Sequence, residues 1–193
     1  MVKYYVVGAP GSGTRFIAKV VEELFLKDGG FEADKERGTT PHHQTYRINK
    51  AVEAGYKVIH LVRDGRSQIY SRILDKHGID SGIIKNFNIK VPDEKHLNYA
   101  ILWNFFVEEG IKGRGHENYL EIKYEDFCMK PVTTINKISK FLKLDFDKEE
   151  FEKIRLKIKP SLDKYKNFNS EELEEINKII KPNMEKLGYE LEE

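Results

Sequence analysis

The stretch Gly8-Ala9-Pro10-Gly11-Ser12-Gly13-Thr14-Arg15 combines three glycines with two hydroxyl residues and an arginine. Glycines let a backbone turn tightly and expose its N–H groups, and such a turn ahead of a helix favours an anion. A second set, Arg63-Asp64-Gly65-Arg66 with Ser71 eight residues after Arg63, offers a guanidinium and a hydroxyl that can hold an oxyanion through charge-assisted hydrogen bonds. The adjacent His42 and His43 bring imidazole, the side chain suited to taking a proton near neutral pH, and Glu32 and Glu36 in the same stretch are carboxylate alternatives. No grouping of His, Cys, Asp or Glu has the spacing of metal ligands, so no metal is expected.

These residues need elements to position them. A buried strand near residues 3 to 7 runs into the glycine turn, and Ile17, Val20, Val21 and Leu24 then recur at helical spacing up to a stop at Asp28-Gly29-Gly30. Residues 31 to 45 are polar and without periodicity, which predicts a loop; a short helix follows and ends at Gly55. Val58 to Val62 reads as a second strand, halted by Arg63-Asp64-Gly65-Arg66 before a helix that carries Ile69 and Ile73. The strand, polar turn and helix thus occur twice.

Residues 78 to 94 carry scattered Gly, Asn, Pro and Asp and predict a long surface segment, a binding loop or else a disordered one. Leu97, Ile101 and Phe105 mark a helix face, Tyr119 to Lys123 a third strand, and Ile135, Ile138, Phe141 and Leu142 another helix. Asp147 with Glu150 predicts a capped helix start, Ser170 a cap for the last helix, and Pro182 a kink or interruption in it. Alternating strands and helices predict an α/β domain with a mainly parallel central sheet flanked by helices, and a ligand site at the carboxyl ends of its strands.

The glycine turn follows a Walker A loop as far as Gly13, but Thr14 and Arg15 stand where that loop has Lys and then Ser or Thr. Its Pro-x-Ser-Gly-Thr core instead resembles the 5'-phosphosulfate loop of the sulfotransferases that use 3'-phosphoadenosine 5'-phosphosulfate (PAPS). The eight-residue interval from Arg63 to Ser71 resembles that family's 3'-phosphate motif, and Arg63-Asp64-Gly65-Arg66 is closest in wording to its tyrosylprotein branch. Tyr119 to Asp126, with the run Tyr124-Glu125-Asp126, resembles a third block of the family, and the segment from Ser161 to Lys166 resembles the ending of bacterial-type members.

The resemblance implies a three-layer, P-loop-like fold and transfer of a sulfuryl group from PAPS to a hydroxyl or amine, with release of PAP. It implies that Gly11, Ser12, Gly13, Thr14 and Arg15 bind the phosphosulfate, that Arg63 and Ser71 bind the 3'-phosphate, and that Lys164 and Lys166 reach the nucleotide phosphates, although taken alone these two lysines read as a solvated basic stretch. Tyr124 and Phe16 are implied to contact adenine; taken alone, each aromatic reads as core packing. His43, with His42 as alternate, stands 20 residues before Arg63, where phenol and alcohol sulfotransferases place their base. The family's basic loop residue is replaced by Gly11, and Arg15 is the nearest substitute. A P-loop kinase or NTPase and a degenerate protein that binds PAP without turnover are the alternatives.

Composition narrows the partners. The 193 residues suit one domain spanning 1–193. A net charge of +1, from 33 basic and 32 acidic residues, provides no global field for nucleic acid, so any anion must be held by a local cluster. Cys128 is the single cysteine and reads as a core residue, no stretch is apolar and long enough for a membrane span or a signal peptide, and a cytoplasmic location is expected. The acceptor, whether small molecule, phenol, carbohydrate, lipid or peptide, is not legible, nor is the oligomeric state.

Overall fold

In the computed structural model, which describes residues 3–25, 44–75 and 81–191, strands β1 (Tyr4–Val7), β2 (Lys57–Val62) and β3 (Tyr119–Lys123) pair in parallel in the order β1-β2-β3. Val6 lies opposite Ile59, and Ile59 opposite Leu120. Parallel neighbours cannot be joined by a tight turn, so helices fill the crossovers and cover both faces. The apolar run of β2 follows from this: Val58 to Val62 are buried whichever way they point.

One face of the sheet, with Val6, Ile59, Leu61 and Ile122, packs on α1 (Thr14–Phe25), α6 (Tyr124–Met129), α7 (Pro131–Leu142) and α8 (Lys148–Arg155). On the other side, a second apolar layer joins α3 (Gly65–Leu74), α5 (Lys95–Ile111) and α9 (Ser170–Lys186) through Ile69, Trp103, Phe106, Ile176 and Ile180. Val7 and Val58 on that face are covered by Ile48 and Val52 of α2 (Ile48–Glu53). The result is the expected α/β arrangement of three layers with a parallel sheet in the middle. Among the described residues, no helix is long and apolar enough to cross a membrane.

A polar network lies where α5 meets the sheet. His60 is buried with Nδ1 2.7 Å from the Tyr119 hydroxyl, which donates to Glu121 at 3.0 Å, and Arg114 clamps the same carboxylate. Burial lowers the His60 pKa to about 4, against the pull of the Glu121 charge. Gly110 allows α5 this close: a Cβ there would fall 2.5 Å from His60 Nε2.

Three expectations change. The segment over 78–94 contains a short helix, α4 (Ser81–Asn86), because Ile83 and Ile84 find apolar partners in the α5 layer. The last helix is capped by Asn169 rather than Ser170, through a reciprocal pair with Glu172. That helix runs through Pro182 without interruption; burial of Ile176, Ile180 and Met184 on both sides of the proline offsets its missing N–H. Asp147 caps α8 as expected, accepting from Glu150 N at 3.0 Å. The stop at residues 28–30 and the loop over 31–43 lie outside the described residues.

Candidate active site

The carboxyl end of β1 leads into the glycine turn, which folds back on itself. Ser12 N donates to Ala9 O at 3.1 Å, and Gly13 O accepts from Phe16 N and Ile17 N to open α1. Gly13 has φ +95°, which a side chain strains, and a Cβ there would stand 3.0 Å from the Tyr124 ring. Ser12 is fully buried, and its Oγ has no hydrogen-bond partner among the described residues. Leaving a buried hydroxyl unpaired costs about 1–3 kcal/mol, so a hydroxyl held inside an N–H-rich turn fits an anionic ligand.

Arg63 ends the adjacent strand and is only 5% exposed. Its guanidinium donates to Gly11 O at 3.0 Å and to Ser161 O, and lies 4.5 Å from the Tyr124 ring centroid; its Nε has no partner among the described residues. One side chain therefore ties together the glycine turn, the end of β2, the start of α6 and the segment before α9. Asp64 caps α3 by accepting from Arg66 N and Ser67 N and pairs with the Arg66 guanidinium at 2.6 Å. The Asp64 N–H donates to Glu125, whose other oxygen accepts from the Tyr189 hydroxyl. Residues 161–168 lie across this corner: Ser67 Oγ donates to Leu162 O, Arg66 stands over Tyr165 at 4.1 Å, and Tyr70 meets Phe168 edge-on.

A family model described as a sulfotransferase domain matches residues 31–188. The chain belongs to that family. Two solved sulfotransferases share its fold. Mouse sulfotransferase SULT7A1 complexed with PAP is 16% identical, with a TM-score of 0.63 over 95% of this chain and 84% of the other. The sulfotransferase from Alicyclobacillus acidocaldarius is 11% identical, with a TM-score of 0.57 over 99% of this chain and 97% of the other. A search of curated protein sequences finds no match. The matched span contains Arg63, Ser71 and Tyr124 but not the glycine turn, which the geometry alone brings to the same strand ends.

Several of the residues that sequence reasoning assigned to a sulfotransferase site do gather here. Gly11 has φ +88°, Thr14 is buried at the start of α1, and Tyr124 is buried beneath Arg63, its hydroxyl pKa pushed up to about 12 by burial with the Cys128 hydrogen bond adding to it. Lys164 stands close enough for burial and the Arg63 charge to lower its pKa. Phe16 is 38% exposed and edge-on to Phe127 at 5.9 Å, which leaves part of its ring accessible. Ser71 Oγ donates to Ser67 O at 2.9 Å within α3.

Others stand apart. Arg15 is exposed on α1, and Lys166 is exposed and pairs with Asp163 at 3.4 Å. His42 and His43, like Glu32 and Glu36, lie outside the described residues, which resume at Gln44 just before a single 3-10 turn, Thr45–Arg47, packed on α5. Sequence reasoning missed Gln68, whose Nε2 donates to Pro10 O at 2.8 Å while its Oε1 accepts from Trp103 Nε1 at 3.1 Å. That buried amide fastens α3 to the glycine turn. Its one signal in the sequence is its position three residues before Ser71, on the same helical face.

Proposed function

We propose that this sulfotransferase takes its sulfuryl group from PAPS and delivers it to a hydroxyl or amine, releasing PAP. The observation that carries this reading is Arg63: a buried guanidinium at the end of β2, bonded to Gly11 of the anion-binding turn, at the family spacing from Ser71. The mouse SULT7A1 structure, a complex with PAP, supports the choice of nucleotide. In this reading the N–H groups from Gly11 to Arg15, with the Ser12 and Thr14 hydroxyls, hold the 5'-phosphosulfate. Arg63, Ser71, Lys164 and Lys166 hold the 3'-phosphate, and Phe16 and Tyr124 flank adenine. Both core layers rest on one sheet, which supports reading the chain as a single domain.

His43, with His42 as alternate, takes the acceptor proton as the acceptor oxygen or nitrogen bonds to sulfur, and the phosphate oxygen keeps the electron pair of the broken bond, with Arg15 the nearest cation in the sequence of the turn. A kinase reading lacks the Walker lysine, because Thr14 holds that place. A PAP-binding protein without turnover is the second reading, favoured by Gly11 in place of the family's basic residue. Calorimetry tests the proposal: PAP binds more tightly than ADP, and Arg63→Ala weakens PAP by about 2–5 kcal/mol, the range for one member of a buried charge pair. Equal affinities for PAP and ADP refute it. Acceptor-dependent release of PAP separates the enzyme from the second reading.

A further inference from the structure

The turn from Gly8 to Thr14 has no charged side chain, although the site proposed above would hold a phosphosulfate there. Arg15, next in sequence, is exposed, and Arg63 is bonded to Gly11 O and Ser161 O. Among the described residues, α3 brings a further cation to the turn. A Cβ built on Gly11 would stand 3.3 Å from Arg72 Cγ, so the stem of Arg72 begins where a side chain at position 11 would. The Arg72 side chain is 11% exposed, a low value for arginine, and lines one cavity with Ala9, Pro10, Tyr99 and Trp103. Its register is fixed one helical turn earlier, where Gln68 is bonded to Pro10 O and to Trp103.

The guanidinium stands 5.5 Å from the Tyr99 ring centroid and pairs with Asp75 at 3.3 Å. Its five N–H donors lie in a planar fork, a geometry that serves several acceptors at once. We propose that Arg72 is the cation of the 5'-phosphate end of the site, entering from α3 through the space that Gly11 leaves open and supplying the charge that the turn lacks. This rests on the donor reading above. It goes beyond that reading by assigning the charge to a residue that neither loop motif contains, and by giving Gly11 a reason: any side chain there meets Arg72.

The obvious alternative is that Arg72 only stabilises the last turn of α3, where a cation is favoured by the helix dipole. Three ligands separate the two roles: PAP, adenosine 5'-monophosphate, which keeps only the 5'-phosphate, and adenosine 3'-monophosphate, which keeps only the other. Calorimetry on Arg72→Ala and on Arg72→Gln, which retains the stem, is expected to show PAP and the 5'-monophosphate weakened by about 10- to 100-fold, the range for a charge-assisted hydrogen bond. Binding of the 3'-monophosphate should change less than about twofold, and Arg72→Lys should recover part of the loss. Unchanged binding of the 5'-monophosphate, or equal weakening of both monophosphates, overturns the assignment. So does a loss selective for the 5'-phosphate in Arg15→Ala and not in the Arg72 variants. If the parent protein does not prefer PAP over the 5'-monophosphate, the donor reading fails and this inference with it; if it does and only the Arg72 variants are silent, the donor reading stands alone.

Discussion

Gly11→Lys places a basic residue on the turn itself, and the structure predicts a loss of stability with no gain in activity. Gly11 has φ +88°, where a side chain costs about 1–2 kcal/mol relative to glycine. The new Cβ would lie 3.3 Å from Arg72 Cγ, Gln68 Cγ and Gln68 O. The first two atoms belong to side chains that can yield; the third is α3 backbone, fixed by the Gln68 contacts to Pro10 and Trp103. Overpacking of this kind adds about 1–3 kcal/mol. An ammonium about 6 Å from the Arg72 guanidinium would add roughly 3 kcal/mol at an effective dielectric of about 20, less whatever the two long side chains recover by turning apart. Strain and overpacking together give about 2–5 kcal/mol for the single variant, and the repulsion that survives adds to it, a large share of the total stability of an ordinary domain. Urea denaturation of Gly11→Ala, Gly11→Lys and Gly11→Lys with Arg72→Ala resolves the parts. Gly11→Ala carries the backbone strain and the Cβ contact without the charge, and the double variant should regain the portion due to Arg72. A Gly11→Lys protein as stable as the parent, or one whose loss is the same with and without Arg72, would refute the reasoning.

Two further outcomes follow from the interior where α5 meets the sheet. His60 has its pKa lowered to about 4 by burial, so the folded state resists a proton that the unfolded chain accepts below its ordinary value near 6.5. Its contribution is fully present above pH 6.5 and is lost as pH falls toward 4, on the order of 3 kcal/mol across the window; urea midpoints from pH 7 to 4.5 should fall less steeply in His60→Gln, and parallel slopes would exclude His60 as the cause. Gly110→Ala drives a methyl into the His60 ring, with Cβ 2.5 Å from Nε2, and should cost about 1–3 kcal/mol. An unchanged melting temperature would show that α5 does not depend on that contact.

What sequence reasoning recovered is local. The helical spacing of Ile17, Val20, Val21 and Leu24, the apolar run from Val58 to Val62 and the glycine turn between strand and helix are properties of neighbouring residues, and the matching elements are where they were expected. The eight residues from Arg63 to Ser71 are likewise one strand end and the helix after it. Local signals misled where packing overrode propensity, as at Pro182, which the buried face of α9 carries through the helix, and at Ile83 and Ile84, whose apolar partners lie on another element.

The sequence by itself determined that this chain builds strand, polar turn and helix units able to hold anions, because backbone geometry and side-chain periodicity act over a few residues. Only the tertiary structure decided which turns meet. Arg63 reaches Gly11 across 52 positions and Ser161 across 98, and Gln68 reaches Pro10 across 58. Arg72 takes the room at Gly11 for the same reason. Such contacts depend on the order of the strands and on how each helix docks against the sheet, through apolar burial that has no direction of its own, so no short-range pattern in the sequence records them.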